Sequence, residues 1–110
     1  MTDIYKDRRF KESPWEMGAH ESIAFPITIP TTWGTGTFTS ITCALYEDPN
    51  STNTNRSSTM LSGTASSSGQ TITTQKVTGL TVGYDYRLEV TFTTVEGNVM
   101  EAWGIIRCGR

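Results

Sequence analysis

The sequence predicts an all-β sandwich of about seven short antiparallel strands, and three observations predict it. Apolar and polar residues alternate over several stretches, a period of two that sends successive side chains to opposite faces of a strand. No stretch shows the 3.6-residue period of an amphipathic helix. Charged residues are only 18 % of the 110 residues and hydrophobic ones 35 %, with Ser, Thr and Gly filling much of the remainder, a balance suited to strands and turns. A chain of this length buries roughly two-thirds of the surface it exposes when unfolded, enough for one core.

Residues 1–18 read as an N-terminal arm and residues 19–110 as the sandwich. The arm is charged, carries Pro14, and spaces isolated apolar side chains at Ile4, Tyr5, Phe10, Trp15 and Met17. Such aromatics need a surface, either that of their own domain or a neighbour's. Ser22 to Pro30 then alternates strictly, with Ile23, Phe25, Ile27 and Ile29 on one face. Pro26 has no N–H to give to a ladder, so this strand belongs at a sheet edge. Thr31 to Thr37 is a turn holding Trp33, Gly34 and Gly36. Phe38 to Tyr46 is a more central strand, with Ile41, Cys43 and Leu45 on one face and Phe38, Ala44 and Tyr46 on the other.

Glu47 to Ser58 is the most polar stretch and reads as a long exposed loop. Thr59 to Ser62 is a short strand, and Gly63 to Gln70 a second loop. Thr71 to Val77 is a strand whose apolar residues, Ile72 and Val77, have opposite parity, which predicts a bulge or an early end. Asp85 to Thr94 alternates most clearly, with Tyr86, Leu88, Val90 and Phe92 inward. Glu96, Gly97 and Asn98 form a hairpin connection, and Val99 to Cys108 is the last strand. In that strand Trp103 and Ile105 oppose Ala102, Ile106 and Cys108, so one face meets the core and the other is free for a partner.

Leu80, Gly83 and Tyr86 have the spacing of a sandwich corner. This corner resembles that of fibronectin type III and related immunoglobulin-like domains, where a Leu caps the core and a Tyr six residues later opens the next strand. The resemblance implies an immunoglobulin-like sandwich in which Leu80 and Tyr86 define the corner and the Tyr hydroxyl bonds back to nearby backbone.

The order of motifs along the chain carries a second resemblance. It runs from the charged start at Tyr5 to Glu12, through Trp33 and Gly34 and the corner from Gly79 to Tyr86, to the hairpin and last strand from Asn98 to Cys108. In this order the chain resembles a family of small immunoglobulin-like accessory structural proteins of tailed phages and prophages, associated with head, neck or fibre. The resemblance implies a virion protein, made in the host bacterial cytoplasm and bound to capsid, portal, neck or tail subunits. It implies no active site.

The residues themselves offer little for catalysis. The lone His20 excludes most schemes that pair a histidine base with a nucleophile. The carboxylates are scattered, and the glycine motifs lack the helix and lysine of a phosphate loop. No enzyme activity and no cofactor are expected. Two Cys and one His fall short of a zinc site. Asp48 and Asp85 offer a calcium alternative without an Asp-rich cluster to support it. Cys43 and Cys108 read as reduced thiols, with a disulfide between them as the alternative. The first residues lack the apolar core of a signal peptide, and no apolar run approaches the roughly 20 residues that span a bilayer, so folding in a cytosol without membrane attachment is expected. The net charge of −2 and pI near 5.3 leave only the short cluster of Lys6, Arg8, Arg9 and Lys11 as a basic patch, so nucleic-acid binding is not expected.

What remains is surface. Trp and Tyr are enriched where proteins meet, and this chain has more aromatics than a small core needs. Tyr5, Phe10, Trp15, Trp33 and Trp103 are the expected partner-binding residues, with self-association possible. A carbohydrate- or receptor-binding module, using Trp33 and Tyr84, is the alternative.

Overall fold

The computed structural model describes residues 8–110, which form two packed β-sheets. One sheet takes, in spatial order, β1 (Trp15–Met17), β9 (Val99–Cys108), β8 (Asp85–Thr93), β3 (Thr39–Glu47) and β4 (Thr54–Asn55). The other takes β2 (Ser22–Thr28), β7 (Thr71–Thr78) and β5 (Leu61–Ser62), with β6 (Ser66–Ser68) also against β7. A single helical turn, α1 (Ser57–Met60), joins β4 to β5. The prediction of an all-β sandwich holds.

The core follows from the alternation. Tyr86, Leu88, Val90 and Phe92 of β8 are fully buried, and Ala102 and Ile106 of β9 continue their layer. Phe25, Ile27, Ile72 and Val77 face them from the second sheet. Each large side chain withdrawn from water in this way contributes roughly 1.5–3 kcal/mol. Phe38 meets Phe92 edge-on at 5.0 Å.

Ile72 and Val77 are both buried despite their opposite parity, because the ladder between β2 and β7 slips between them. Ala24 pairs with Lys76 and Pro26 with Thr73, so Thr74 and Gln75 together oppose Phe25. The Phe25 N–H is not lost, since it donates to the Thr74 hydroxyl at 3.0 Å. The predicted bulge is therefore present. β2 is an edge strand, as Pro26 requires, and its free side is blocked at two positions. Pro26 has no N–H, and the next N–H of the same parity, at Thr28, donates to Glu12 Oε2 at 2.9 Å.

Several expectations need correction. Phe38 lies on the core side with Leu45, not opposite it, because the ladder of β3 against β8 also slips, between Thr39 and Thr42. Ser40 adopts a left-handed φ of 51° at the slip. The stretch Glu47 to Ser58 is not one exposed loop. Glu47 ends β3 and is buried, Thr54 and Asn55 pair back onto it as β4, and α1 follows. Ser66 to Ser68, read as loop, adds to β7. Not every pairing is antiparallel: β1 runs parallel to β9, with Trp15 beside Ile106 and Met17 beside Cys108. The residues from Arg8 to Gly18 thus belong to the sandwich wall rather than standing apart from it.

At the corner, the Tyr86 hydroxyl accepts a hydrogen bond from the Thr81 N–H and donates one to Glu47 Oε2, both at 2.8 Å. Glu47 Oε1 takes a bond from Arg56 at 3.1 Å. Leu80 is buried beside this network. Both cysteines are free thiols; Cys108 is buried, and burial pushes the half-buried Cys43 above its ordinary 9.0.

Candidate protein-interaction face

Outward positions of the five-stranded sheet gather side chains that the sequence distributes over 60 residues. On β9, Glu101, Trp103, Ile105 and Arg107 share the face turned from the core, because Ala102, Gly104 and Ile106 between them point inward. The ladder sets Glu89 beside Trp103 and Arg87 beside Ile105. On the other side of β8 it sets Ala44 beside Glu89 and Tyr46 beside Arg87. Two adjacent rows result, one of Trp103, Glu89 and Ala44, the other of Ile105, Arg87 and Tyr46.

Charge and aromatic groups lock together across these rows. Arg87 Nε donates to Glu89 Oε2 at 2.8 Å, its Nη2 donates to Asn53 Oδ1 at 3.1 Å, and its guanidinium lies 4.9 Å from the Tyr46 ring centre. A guanidinium held over an aromatic ring and tied to a carboxylate loses little further entropy on binding. Arg9 lies 5.9 Å from the Trp103 ring centre, where the arm bridges to β9. A shallow depression of about 480 Å³ opens here, bounded by Arg9 on one flank and by Pro49 and Asn50 on the other. Trp103, Ile105 and Tyr46 are each half-buried, so each presents an aromatic or aliphatic surface to solvent.

The other sequence-predicted residues fall elsewhere. Phe10 is 2 % exposed and belongs to the core. Trp15 packs on Phe25 at 4.8 Å and over Gly104, between the two sheets. Both are committed to their own domain. Tyr5 lies outside the described residues. Trp33 is half-buried at one end of the sandwich, 6.4 Å from Phe10, with the Arg8 guanidinium 5.1 Å above its ring. The structure therefore does not bring Trp33 and Trp103 into one site. Among the described residues no three His, Cys, Asp or Glu side chains gather as a metal-holding group.

The loop carrying Trp33 is pinned by side chains whose role has no signal in the sequence. Gln70 Nε2 donates to the carbonyls of Ile29 and Gly34, and its Oε1 accepts from the Gly36 N–H. Glu96 of the last hairpin accepts from the Thr35 N–H at 3.0 Å. Hydrogen bonds from Thr35, with help from its own N–H and Thr94, hold the Glu96 carboxyl down at about 2, against an ordinary 4.5. A lowered carboxylate stabilises its contact above the ordinary value and releases it as pH falls toward the lowered one. NMR titration should therefore give a Glu96 midpoint near 2, with the Thr35 amide shift following it. A midpoint near 4.5 would show that this bond does not form in solution.

Tyr46 is one of the aromatics in excess of a small core, whereas Arg87 and Glu89 carry no partner-binding signal of their own in the sequence. The parity of Arg87 and Glu89 marks them as outward, but only the cross-strand register shows that they meet Tyr46 and Trp103. No family model, curated protein or solved structure matches the chain.

Proposed function

We propose that this chain is a non-enzymatic, immunoglobulin-like structural domain that attaches to a larger assembly through the outer face of its five-stranded sheet. One observation carries the reading: Trp103, Ile105 and Tyr46 share a face with a pre-ordered Arg87–Glu89 pair. Trp, Tyr and Arg are the residues that most often dominate binding energy at interfaces. Strand addition at an edge has less support. The β2 edge is blocked by Pro26 and Glu12, and β1, β4 and β5 offer only two or three residues each.

The topology supports the immunoglobulin-like assignment. β2, β7 and β5 occupy the places of strands B, E and D, and β3, β8 and β9 those of C, F and G, with β4 as an added C′. The Tyr86 hydroxyl bonds the backbone five residues upstream, as in the tyrosine corner of that fold. The core tryptophan comes from the arm, as Trp15, instead of from strand C.

The order of motifs from Tyr5 to Cys108 supports an accessory role on a tailed-phage virion, with capsid, neck or tail subunits as partners. A glycan-binding module has less support, since Arg8 already covers one face of Trp33. Deleting residues 1–18 would not test attachment, because it removes the core residues Phe10 and Met17. Surface substitution does. Mass spectrometry of purified particles should find the protein, and Trp103→Ala should weaken its attachment roughly 30-fold, the effect of losing an interface hot spot of about 2 kcal/mol. Absence from particles, or unchanged occupancy of the folded variant, would overturn the reading.

A further inference from the structure

We infer that the outer face of the five-stranded sheet pairs with the same face of a second copy of this chain, around a two-fold axis over the row of Leu45, Leu88 and Gly104. The inference rests on the interaction face proposed above and names one partner for it. Leu88 stands opposite Leu45 on one side and Gly104 on the other, so the three define a line across β3, β8 and β9. A two-fold axis along this line stacks the two sheets and runs each strand antiparallel to its own copy. It exchanges positions that lie equally far from the row.

The charges match under that exchange. Arg87 of one copy faces Glu89 of the other, and Glu101 faces Arg107. Trp103 faces Ile105, and Ala44 faces Tyr46. Asp85 faces the neutral Thr91. No like charges are set against each other on the three central strands. The match also selects the register. Moving the axis one residue in either direction sets Arg87 against Arg87 or Glu89 against Glu89, a repulsion that disfavours those arrangements.

The geometry permits the contact. Stacked sheets cross at about 30°, which displaces positions three residues from the axis by roughly 5 Å, within reach of Glu and Arg side chains. Three strands over the span from Glu101 to Arg107 bury roughly 800–1,000 Å² across both copies, below the roughly 1,200 Å² at which stable specific interfaces begin and within the range of transient ones. Self-association is therefore weak in free solution, and it gains strength where copies are arrayed.

Sedimentation equilibrium of the full chain, from about 10 μM to about 1 mM at low salt, tests this. Wild type should form a dimer that weakens as salt rises. Glu101→Arg and Arg107→Glu should each weaken association at least about 10-fold, since each sets like charges face to face. Both positions are exposed, so both variants should keep the wild-type circular dichroism. An equimolar mixture of the two variants should dimerise again, because the pairing of unlike copies restores both attractions. A monomeric wild type throughout the range, or variants that associate as wild type does, would overturn the inference. If wild type is monomeric yet Trp103→Ala still lowers particle occupancy, the face binds a different protein and only the self-pairing falls. If wild type dimerises as described and occupancy does not change, the self-pairing stands and the attachment reading falls.

Discussion

Gly104→Val should destabilise the domain by roughly 3–5 kcal/mol, the range for losing a large aromatic from a core, and so lower Tm by at least about 12 °C. A Cβ at Gly104 would lie 2.5 Å from Trp15 Cζ3 and 2.9 Å from Cη2, with Ser13 Cβ at 3.3 Å. The indole cannot slide away cheaply. Phe25 bounds it at 4.8 Å and Phe10 at 6.2 Å, and its backbone is paired to Ile106 in β1. The added side chain therefore expels Trp15 from between the sheets and strips β1 from β9. Urea unfolding should show the lower midpoint, and Trp15 fluorescence should shift to the red. Trp15→Leu in the Gly104→Val background should recover part of the loss by vacating the space. If Gly104→Val alone is as stable as wild type, Trp15 does not occupy this seat.

The same contact explains why the arm was only half legible. Its aromatics are visibly spaced in sequence, and spacing says that they need a surface. Which surface depends on a gap in the neighbouring strand β9, and Gly104 reads as an ordinary glycine in a strand until the pairing of β1 with β9 is known. Phe10 and Trp15 therefore resemble partner-seeking residues in sequence and are core-filling ones in the fold. Trp103, by contrast, follows directly from parity: with Ala102 and Ile106 inward, it has to point out. The bulge in β7 was legible because Ile72 and Val77 break parity. The slip at Ser40 was not, because Phe38 makes an unbroken alternation with Ala44 and Tyr46 that the backbone does not follow.

These cases also show why the candidate site is a face. Local alternation identifies which residues leave the core, but a binding surface is a two-dimensional pattern. Its second dimension is the register between β3, β8 and β9, set by the slip at Ser40 and by the hairpin at Gly97. A one-residue change in the β3–β8 register would separate Arg87 from Tyr46, and one in the β8–β9 register would separate Glu89 from Trp103.

Register also buries Glu47. In sequence Glu47 opens a polar stretch, but in the ladder it stands opposite Tyr86, where its carboxylate joins the phenol hydroxyl and Arg56. Tyr86→Phe removes a hydrogen bond to a charged acceptor and leaves the Thr81 N–H without its partner, so it should cost about 2–4 kcal/mol. Glu47→Ala should cost a similar amount, because Arg56 and the phenol both lose their acceptor. The two effects should not add: with the pair acting as a unit, the double variant should be more stable than the sum predicts by about 1–2 kcal/mol. Alkaline pH gives an independent reading of the same bond. Burial, partly offset by the Thr81 N–H and reinforced by Glu47, raises Tyr86 above the ordinary phenol value of 10.0. A raised phenol favours the fold fully below the ordinary value, and that contribution is lost as pH rises from there through the folded value. The stability gap between wild type and Tyr86→Phe should thus be constant below pH 10.0 and narrow above it. Additive single effects in the cycle, with a gap that does not change with alkali, would mean that the corner is held by packing around Leu80 alone.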